Sequence, residues 1–424
     1  MHYADLLIHS AQMMVTMKGF SDNPACGEEM SEVGIVEDGA VAIREGMIVA
    51  VGTTAEIRAA GWSGPDTQEI SAKGKVVTPG FVDPHTHVLY AGSRENELSL
   101  KLKGVPYLEI LKQGGGILST VRSTKQASDE EIKAQTRRRL QTMLSLGTTT
   151  AEVKSGYGLM VEDELRALRL IRELDESQVI DLVPTFMGAH AVPTGYSEPE
   201  FTSYIVDEML PVIAAENLAE FCDVFCEPGV FSLESSERIL LKAQQLNLKL
   251  KMHADELASA GGAELAARLG VVSADHLLQA SDKGIEALAR QGVIAVLLPA
   301  TSFNLAKNSY ARARDMIRAR VPVALATDSN PGSSPTESMP LVLTIACLYL
   351  RLTPEEALAG ATINAAHAIG RAKQVGSLEV GKQGDVLILD IPNLNYLPYH
   401  FGNNPVETVI KKGKAVWGLG NHIN

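Results

Sequence analysis

The 424-residue sequence predicts an α/β chain, a (β/α)8 barrel inserted between the two halves of a small β domain. Three observations carry that expectation. Eight short, nearly continuous apolar runs recur between residues 79 and 327, as expected of strands buried on both faces. Amphipathic helical stretches alternate with them, at the roughly 25–40-residue spacing that a parallel barrel needs. Both chain ends are instead rich in short strands and turn residues.

In chain order, residues 1–75 read as short strands and turns. Ala4–Thr16 and Val41–Thr53 are rich in Val and Ile, with Gly39, Gly46 and Gly52 at the breaks. From residue 76 the texture changes, and the eight apolar runs lie near 79–83, 148–153, 180–186, 220–225, 249–253, 272–275, 293–298 and 322–327. Ser128-Asp-Glu-Glu131 is a capping box; it opens a helix carrying Ile132, Leu140, Met143 and Leu144 that stops at Gly147. Val161–Glu176, Glu200–Asn217, Ser232–Asn247, Gly261–Leu269 and Asp282–Gln291 follow the same logic. Helices at 338–350 and 354–369 precede a return to β texture at Val386–Asp390 and Thr408–Trp417. The expected division is a composite β domain of residues 1–75 and 376–424, with the barrel at 76–375.

A hydrophobic fraction of 45% and a charged fraction of 21% give ample material for a core and exclude disorder. The net charge of −13 argues against nucleic-acid or anionic-membrane partners. An anionic substrate would then have to be held by a few local cations. Four cysteines are too sparse for a disulfide framework, and Cys222 and Cys226, with no second pair to complete a zinc site, read as core residues. The N-terminus has no basic n-region and no signal-length apolar core, and no run approaches a membrane span; the expected location is the cytoplasm.

Chemistry concentrates at strand ends. His85 and His87, in Asp83-Pro84-His85-Thr86-His87, are two residues apart on extended chain and so point to one side, toward the barrel mouth. His253 ends the fifth run and Asp328 the eighth. Strands one and eight are neighbours in a closed barrel and strand five lies opposite, so these four groups converge at the C-terminal mouth. Three imidazoles and one carboxylate suit zinc or iron(II), which lowers the pKa of bound water to about 7. Asp328 could take the water's proton and return it to a leaving nitrogen.

Other residues at the mouth have no obvious ligand role. His276 could stabilise a carbonyl oxyanion, Glu256 could hydrogen-bond a substrate N–H, and His190 could bind substrate. Arg94 is a natural clamp for a carboxylate, its alternative being a surface ion pair with Glu95 or Glu97. Tyr157 and the loop Asn330-Pro331-Gly332-Ser333-Ser334 complete the rim. Gly376–Lys382 has the spacing of a phosphate-binding loop, but Gln383 replaces the Ser/Thr and a strand follows in place of a helix. Lys154 invites a two-metal reading through a carboxylated lysine; the fourth run, where such a barrel would carry it, ends in Cys226-Glu227, so one metal is expected.

With these residues assembled, the chain resembles the amidohydrolase superfamily. The marks are Pro79-Gly-Phe-Val-Asp-Pro-His-Thr-His87, the later single histidine, the strand-eight aspartate and Gly376-Ser-Leu-Glu-Val-Gly381-Lys382-Gln-Gly-Asp385. Within it the chain is similar to the imidazolonepropionase family. That narrower likeness rests on Ala91–Glu97, Gly114–Arg122, Glu152–Gly158, Pro184–Pro193 and Asp328–Pro335. The resemblance implies a TIM-like barrel with a small β-sandwich domain in a cytoplasmic homodimer holding one zinc or iron ion per subunit. The implied reaction is hydrolysis of the ring C–N bond of 4-imidazolone-5-propanoate to N-formimino-L-glutamate, in histidine degradation, by metal-bound hydroxide attacking the ring carbonyl. It implies His85, His87, His253 and Asp328 as ligands, with Glu256, His276 and Asp328 catalytic. Arg94, Tyr107, Tyr157, His190, Glu256, Asn330, Gly332 and Ser333 are the implied substrate contacts. Two departures stand out: His-Ala-Asp-Gln is the commoner form of His253-Ala-Asp-Glu256, and Ser329 stands where a bulkier residue is common. The same metal set would also serve a purine or pyrimidine deaminase, but a neutral nucleobase offers Arg94 and Tyr157 no carboxylate.

Overall fold

The computed structural model describes residues 3–105, 109 and 115–418; the implied contact Tyr107 lies outside the described residues. Five strands come from the N-terminal part: β1 (Leu6–Val15), β2 (Ile35–Arg44), β3 (Met47–Thr53), β4 (Gln68–Ser71) and β5 (Val76–Pro79). Eight follow in the middle: β6 (Phe81–Asp83), β7 (Thr148–Lys154), β8 (Asp181–Ala189), β9 (Phe221–Cys226), β10 (Lys249–Ala254), β11 (Ser273–His276), β12 (Ile294–Leu297) and β13 (Val323–Leu325). The last are β14 (Val386–Leu389), β15 (Val406–Lys411) and β16 (Lys414–Trp417).

The chain ends meet in one mostly antiparallel sheet, ordered β16-β15-β14-β5-β1-β2-β3, with β4 beside β1. Its two hairpins turn for the same reason. Glu45-Gly46 and Lys412-Gly413 all have positive φ (52° and 78°, 47° and 72°), the two-residue turn whose twist matches that of paired strands. Alternation along β1 sends Leu6 and Ile8 into one apolar cluster and Leu7 into another, so both faces of the sheet are covered. The N- and C-terminal parts join where β5 pairs antiparallel with β14, Val76 opposite Leu389 and Pro79 opposite Val386. Val76–Pro79 therefore pairs within this sheet, although a boundary at 75/76 groups it with the barrel. Gly80 makes the crossing into the barrel, and a Cβ there would fall 2.2 Å from Thr149 Oγ1.

Strands β6 to β13 pair in sequence order and in parallel. The ring closes just beyond its first and last strands. Asp328 N–H donates to His85 O (3.1 Å) and His87 N–H to Ser329 O (3.0 Å). The Thr327 hydroxyl donates to the Asp83 carboxylate (2.5 Å). These bonds place His85, His87 and Asp328 side by side. The expected helices are present at Asp129–Ser145, Val161–Ser177, Leu233–Gln245, Gly262–Leu269 and Asp282–Gln291. The stretch expected as one helix at 354–369 is two, Pro354–Gly360 and Ile363–Ala368; Thr362 leaves helical geometry and its hydroxyl caps Leu358 O.

Cys222 and Cys226 are buried and all four cysteines are free. Lys382, the lysine of the loop with phosphate-binding spacing, is buried and donates to Ala372 O and Val375 O of its own chain. Among the described residues, no helix is long and apolar enough to cross a membrane.

Candidate active site

The barrel mouth gathers the histidines that the sequence singled out. Ring centroids of His85 and His87 lie 5.2 Å apart, those of His85 and His253 4.5 Å, and those of His87 and His253 5.6 Å. One ring nitrogen of each lies within 4.8 Å of the other two. Asp328 Oδ1 is 3.5 Å from His85 Nε2 and 3.7 Å from His87 Nε2. The aspartate reaches in because its backbone turns through φ 53°, while its Oδ2 accepts from the Thr301 hydroxyl (2.6 Å). His276, at φ 74°, brings its ring within 5.1 Å of His253, and its Nδ1 is 3.7 Å from Glu256 Oε2.

This donor set fits a divalent cation. His85 Nδ1 is bound to Asp275 Oδ2 (2.6 Å) and His253 Nδ1 to Asp223 Oδ1 (3.1 Å), which puts the ring protons on Nδ1 and leaves the Nε2 lone pairs free. His85 Nε2 and His87 Nδ1 are buried without a hydrogen-bond partner. Burial, then the positive groups around them, holds His85 and His87 well below the ordinary imidazole range, so both are neutral donors. Burial opposes charging His253 as well, but the Asp223 carboxylate outweighs it and the net shift is upward. Burial pushes the Asp328 carboxyl up, a cost that a bound cation would offset.

Strand periodicity supplies a set of buried charges of which the sequence reading singled out only Lys154. Glu152 and Lys154 on β7, Asp223 on β9, Lys251 on β10 and Asp275 on β11 are fully buried and form one network. Lys154, which raised the question of a bridging carboxylated lysine, instead gives its ammonium to Asp223 (2.6 Å) and Glu152 (2.9 Å). A Glu-x-Lys and a Lys-x-His at period two inside otherwise apolar strands were the available signal.

Beside the cluster opens a cavity of about 560 Å³. Arg94, Tyr157, His190, Glu256, His276, Asn330, Gly332 and Ser333 all line it, with His87, His253 and Asp328. His190 stacks on His87 (4.8 Å, 15°), and its Nδ1 meets Gly156 O at 3.0 Å, so Nδ1 is the donor. Burial pushes its pKa down to about 3, which leaves His190 Nε2 an acceptor. Burial also raises the Tyr157 phenol, which stays protonated. Arg94 pairs with Glu97 through Nε (3.0 Å) and Nη2 (2.7 Å), yet both side chains are about nine-tenths buried. The ion pair and the cavity position hold together. Asn330 organises its loop: its Oδ1 accepts from Gly332 N and Ser333 N (both 2.8 Å), and its Nδ2 donates to Asp328 O (2.6 Å). Apolar Leu98, Leu102 and Phe225, and the cation Lys307, also line the cavity and had no motif to announce them.

A closed parallel barrel with a His-x-His, an opposing histidine and an aspartate gathered at its C-terminal mouth defines the amidohydrolase class. In agreement, the Amidohydrolase family matches residues 230–416 and the Imidazolonepropionase-like composite domain of bacteria matches residues 39–60. The chain is 55% identical over 421 residues to the imidazolonepropionase of Alkaliphilus oremlandii (strain OhILAs), covering 99% of each chain. It is 53% identical over 424 residues to that of Alkaliphilus metalliredigens (strain QYMF), again covering 99% of each. The chain belongs to the imidazolonepropionase family. Among solved structures, an adenosine deaminase from Xanthomonas campestris with bound zinc superposes with a TM-score of 0.73 at 23% identity, covering 98% of this chain and 94% of that one. A 5-methylcytosine deaminase from Klebsiella pneumoniae gives 0.73 at 18% identity, covering 99% of each. These last two share the fold.

Proposed function

We propose that this chain hydrolyses the ring C–N bond of 4-imidazolone-5-propanoate to N-formimino-L-glutamate. The observation that carries the reading is one cavity holding both the His/Asp cluster and Arg94, in a chain 55% identical to an imidazolonepropionase. Zinc or iron held by His85, His87, His253 and Asp328 supplies Lewis-acid activation of water when bound.

The protein's own groups do the rest. Arg94, with Lys307 as a second cation, binds the propionate, while Tyr157 and the Nε2 acceptor of His190 orient the ring. Glu256 holds a ring N–H and His276 stabilises the oxygen of the ring carbonyl as it gains negative charge. A new C–O bond forms to that carbon as its ring C–N bond breaks. Asp328 accepts the proton of the attacking water and passes it to the departing nitrogen.

Further parts of the reading concern the whole molecule. The protein works on a small molecule in the cytoplasm as a homodimer, with no nucleic-acid or membrane partner, in keeping with its net charge of −13. The composite β domain joins residues 1–75 with 376–424, and the pairing of β5 with β14 supports counting β5 in it.

The test is the ultraviolet absorbance of freshly generated imidazolone propionate with metal-loaded and chelator-stripped protein. Metal-dependent loss of the ring chromophore, with formiminoglutamate detected by mass spectrometry, is expected. No turnover by metal-loaded protein discards the substrate, and ammonia release from a nucleobase would move the protein to the deaminases.

A further inference from the structure

Five fully buried charges beside the His/Asp cluster are an expensive way to fill a barrel, because desolvation outweighs much of their mutual attraction. What their carboxylates touch explains them. Asp223 accepts from the ring and backbone N–H of His253 through Oδ1 (3.1 and 3.2 Å), and from Lys154 Nζ through Oδ2 (2.6 Å). Asp275 holds His85 Nδ1 through Oδ2 (2.6 Å) and accepts from the Ser273 hydroxyl through Oδ1 (2.6 Å). Lys154 Nζ lies 3.8 Å from that Oδ2. Lys251 Nζ donates to Glu152 (2.9 Å) and to Pro84 O (2.8 Å), the carbonyl just before His85, and lies 4.0 Å from Asp275. Lys154 is thus, among the described residues, the cation within 4 Å of both carboxylates that hold a metal-ligand imidazole.

We infer that Lys154 is a positioning residue for the metal centre. It fixes Asp223 and Asp275 together, and through them the tautomer and aim of His253 and His85. Its amine is occupied by carboxylates and is not a ligand. The inference rests on the metal-site reading above, and its test separates the two.

Lys154→Met alone leaves three buried carboxylates with one lysine and can fail to fold for that reason. The balanced pair Lys154→Met with Glu152→Gln removes one charge of each sign but deletes the tie. The pair Lys251→Met with Glu152→Gln makes the same change of charge and keeps it. Each protein is stripped, reloaded with zinc against a chromophoric chelator, and separately loaded with cobalt(II) for its visible spectrum; the unfolding temperature of each metal-free form is measured alongside. The Lys154 pair is expected to lose about 10–100-fold in zinc affinity, with an altered cobalt spectrum. The Lys251 pair is expected to stay within about 3-fold of the parent and to keep the parent spectrum, since its ligand-holding carboxylates remain tied. Equal affinities and spectra for the two pairs overturn the role of Lys154. A parent protein that takes up no metal overturns the metal site, and this inference with it.

Discussion

Gly332 offers a substitution that should damage substrate binding while sparing the fold. A Cβ built there falls 2.2 Å from Arg94 Nη1, 2.8 Å from Cζ and 3.3 Å from Nη2. Ordinary contact needs about 3.5 Å, so Gly332→Ala must push the guanidinium back by about 1.3 Å. The obstacle is the far end of a flexible side chain, so the backbone need not move. Gly332 is also absent from the positive-φ positions, so alanine brings no backbone strain. Losing glycine's freedom in the unfolded chain should even return about 0.4–1 kcal/mol. The shift is large beside the Arg94–Glu97 contacts of 3.0 and 2.7 Å, and it displaces the donor set that would meet the propionate. Misplacement of a positioning group by about 1 Å costs up to about 100-fold. The expected result is a KM for imidazolone propionate raised roughly 10–100-fold, with metal content and unfolding temperature near the parent's. Steady-state ultraviolet kinetics, elemental analysis and a thermal melt on the same preparation read all three. An unchanged KM would refute the placement of Arg94 against the substrate; a collapsed melt would refute the claim that only a side-chain tip stands in the way.

Arg94→Ala should raise KM by about 10–100-fold, the worth of a charged hydrogen bond, with bound metal unchanged; parent-like KM values would sink the clamp. Lys307→Gln should raise KM about 3–10-fold at low ionic strength and converge on the parent in salt, because a half-buried cation still in contact with water acts through a screened field. If the two proteins keep the same salt dependence, Lys307 does not serve the substrate. His87→Ala should lose metal and activity together, and full metal content by elemental analysis would exclude His87 as a ligand. Stripping the parent with chelator should lower its unfolding temperature and adding zinc or iron(II) back should restore it, since a ligand bound only by the folded state stabilises that state. A melt indifferent to metal would count against a site built from these buried groups.

The barrel was legible because buried parallel strands write themselves as apolar runs, and Val293–Leu298 or Val323–Thr327 need no other explanation. The histidines were legible because they break those runs at the C-terminal end. Glu152, Lys154 and Lys251 were harder to see for the opposite reason. They sit in or at the edge of the runs, where Thr148–Lys154 is buried at every position and most of their partners lie across strands. No local pattern announces that Lys154 on β7 meets Asp223 on β9; the barrel's closure brings them together. The cavity wall was harder still. Leu98 and Leu102 line it from one helix, Glu95–Leu102, and Phe225 from β9, and their apolar character looks the same in a core as in a pocket. The break at Thr362 had a local mark in Gly360, but a single glycine is tolerated within a helix, and the hydroxyl cap onto Leu358 substitutes for a helical bond.

The charge problem posed by an acidic protein and an anionic substrate divides between two residues. Arg94 spends Nε and Nη2 on Glu97, so its charge is largely met before substrate arrives, and what remains is direction: a guanidinium edge held against Gly332. That suits a residue whose task is to set where the propionate lies and hence which ring carbon faces the His/Asp cluster. Lys307 lines the same cavity with no ion pair among the described residues, so its charge is uncompensated and can act on an approaching anion at a distance. The two losses should therefore differ in kind. Removing Arg94 should loosen discrimination between propionate and shorter or longer side chains at every salt concentration. Removing Lys307 should leave that ranking intact and weaken all the anionic substrates alike at low salt. If chain-length discrimination follows Lys307 and salt dependence follows Arg94, the assignment of direction to one cation and field to the other is reversed.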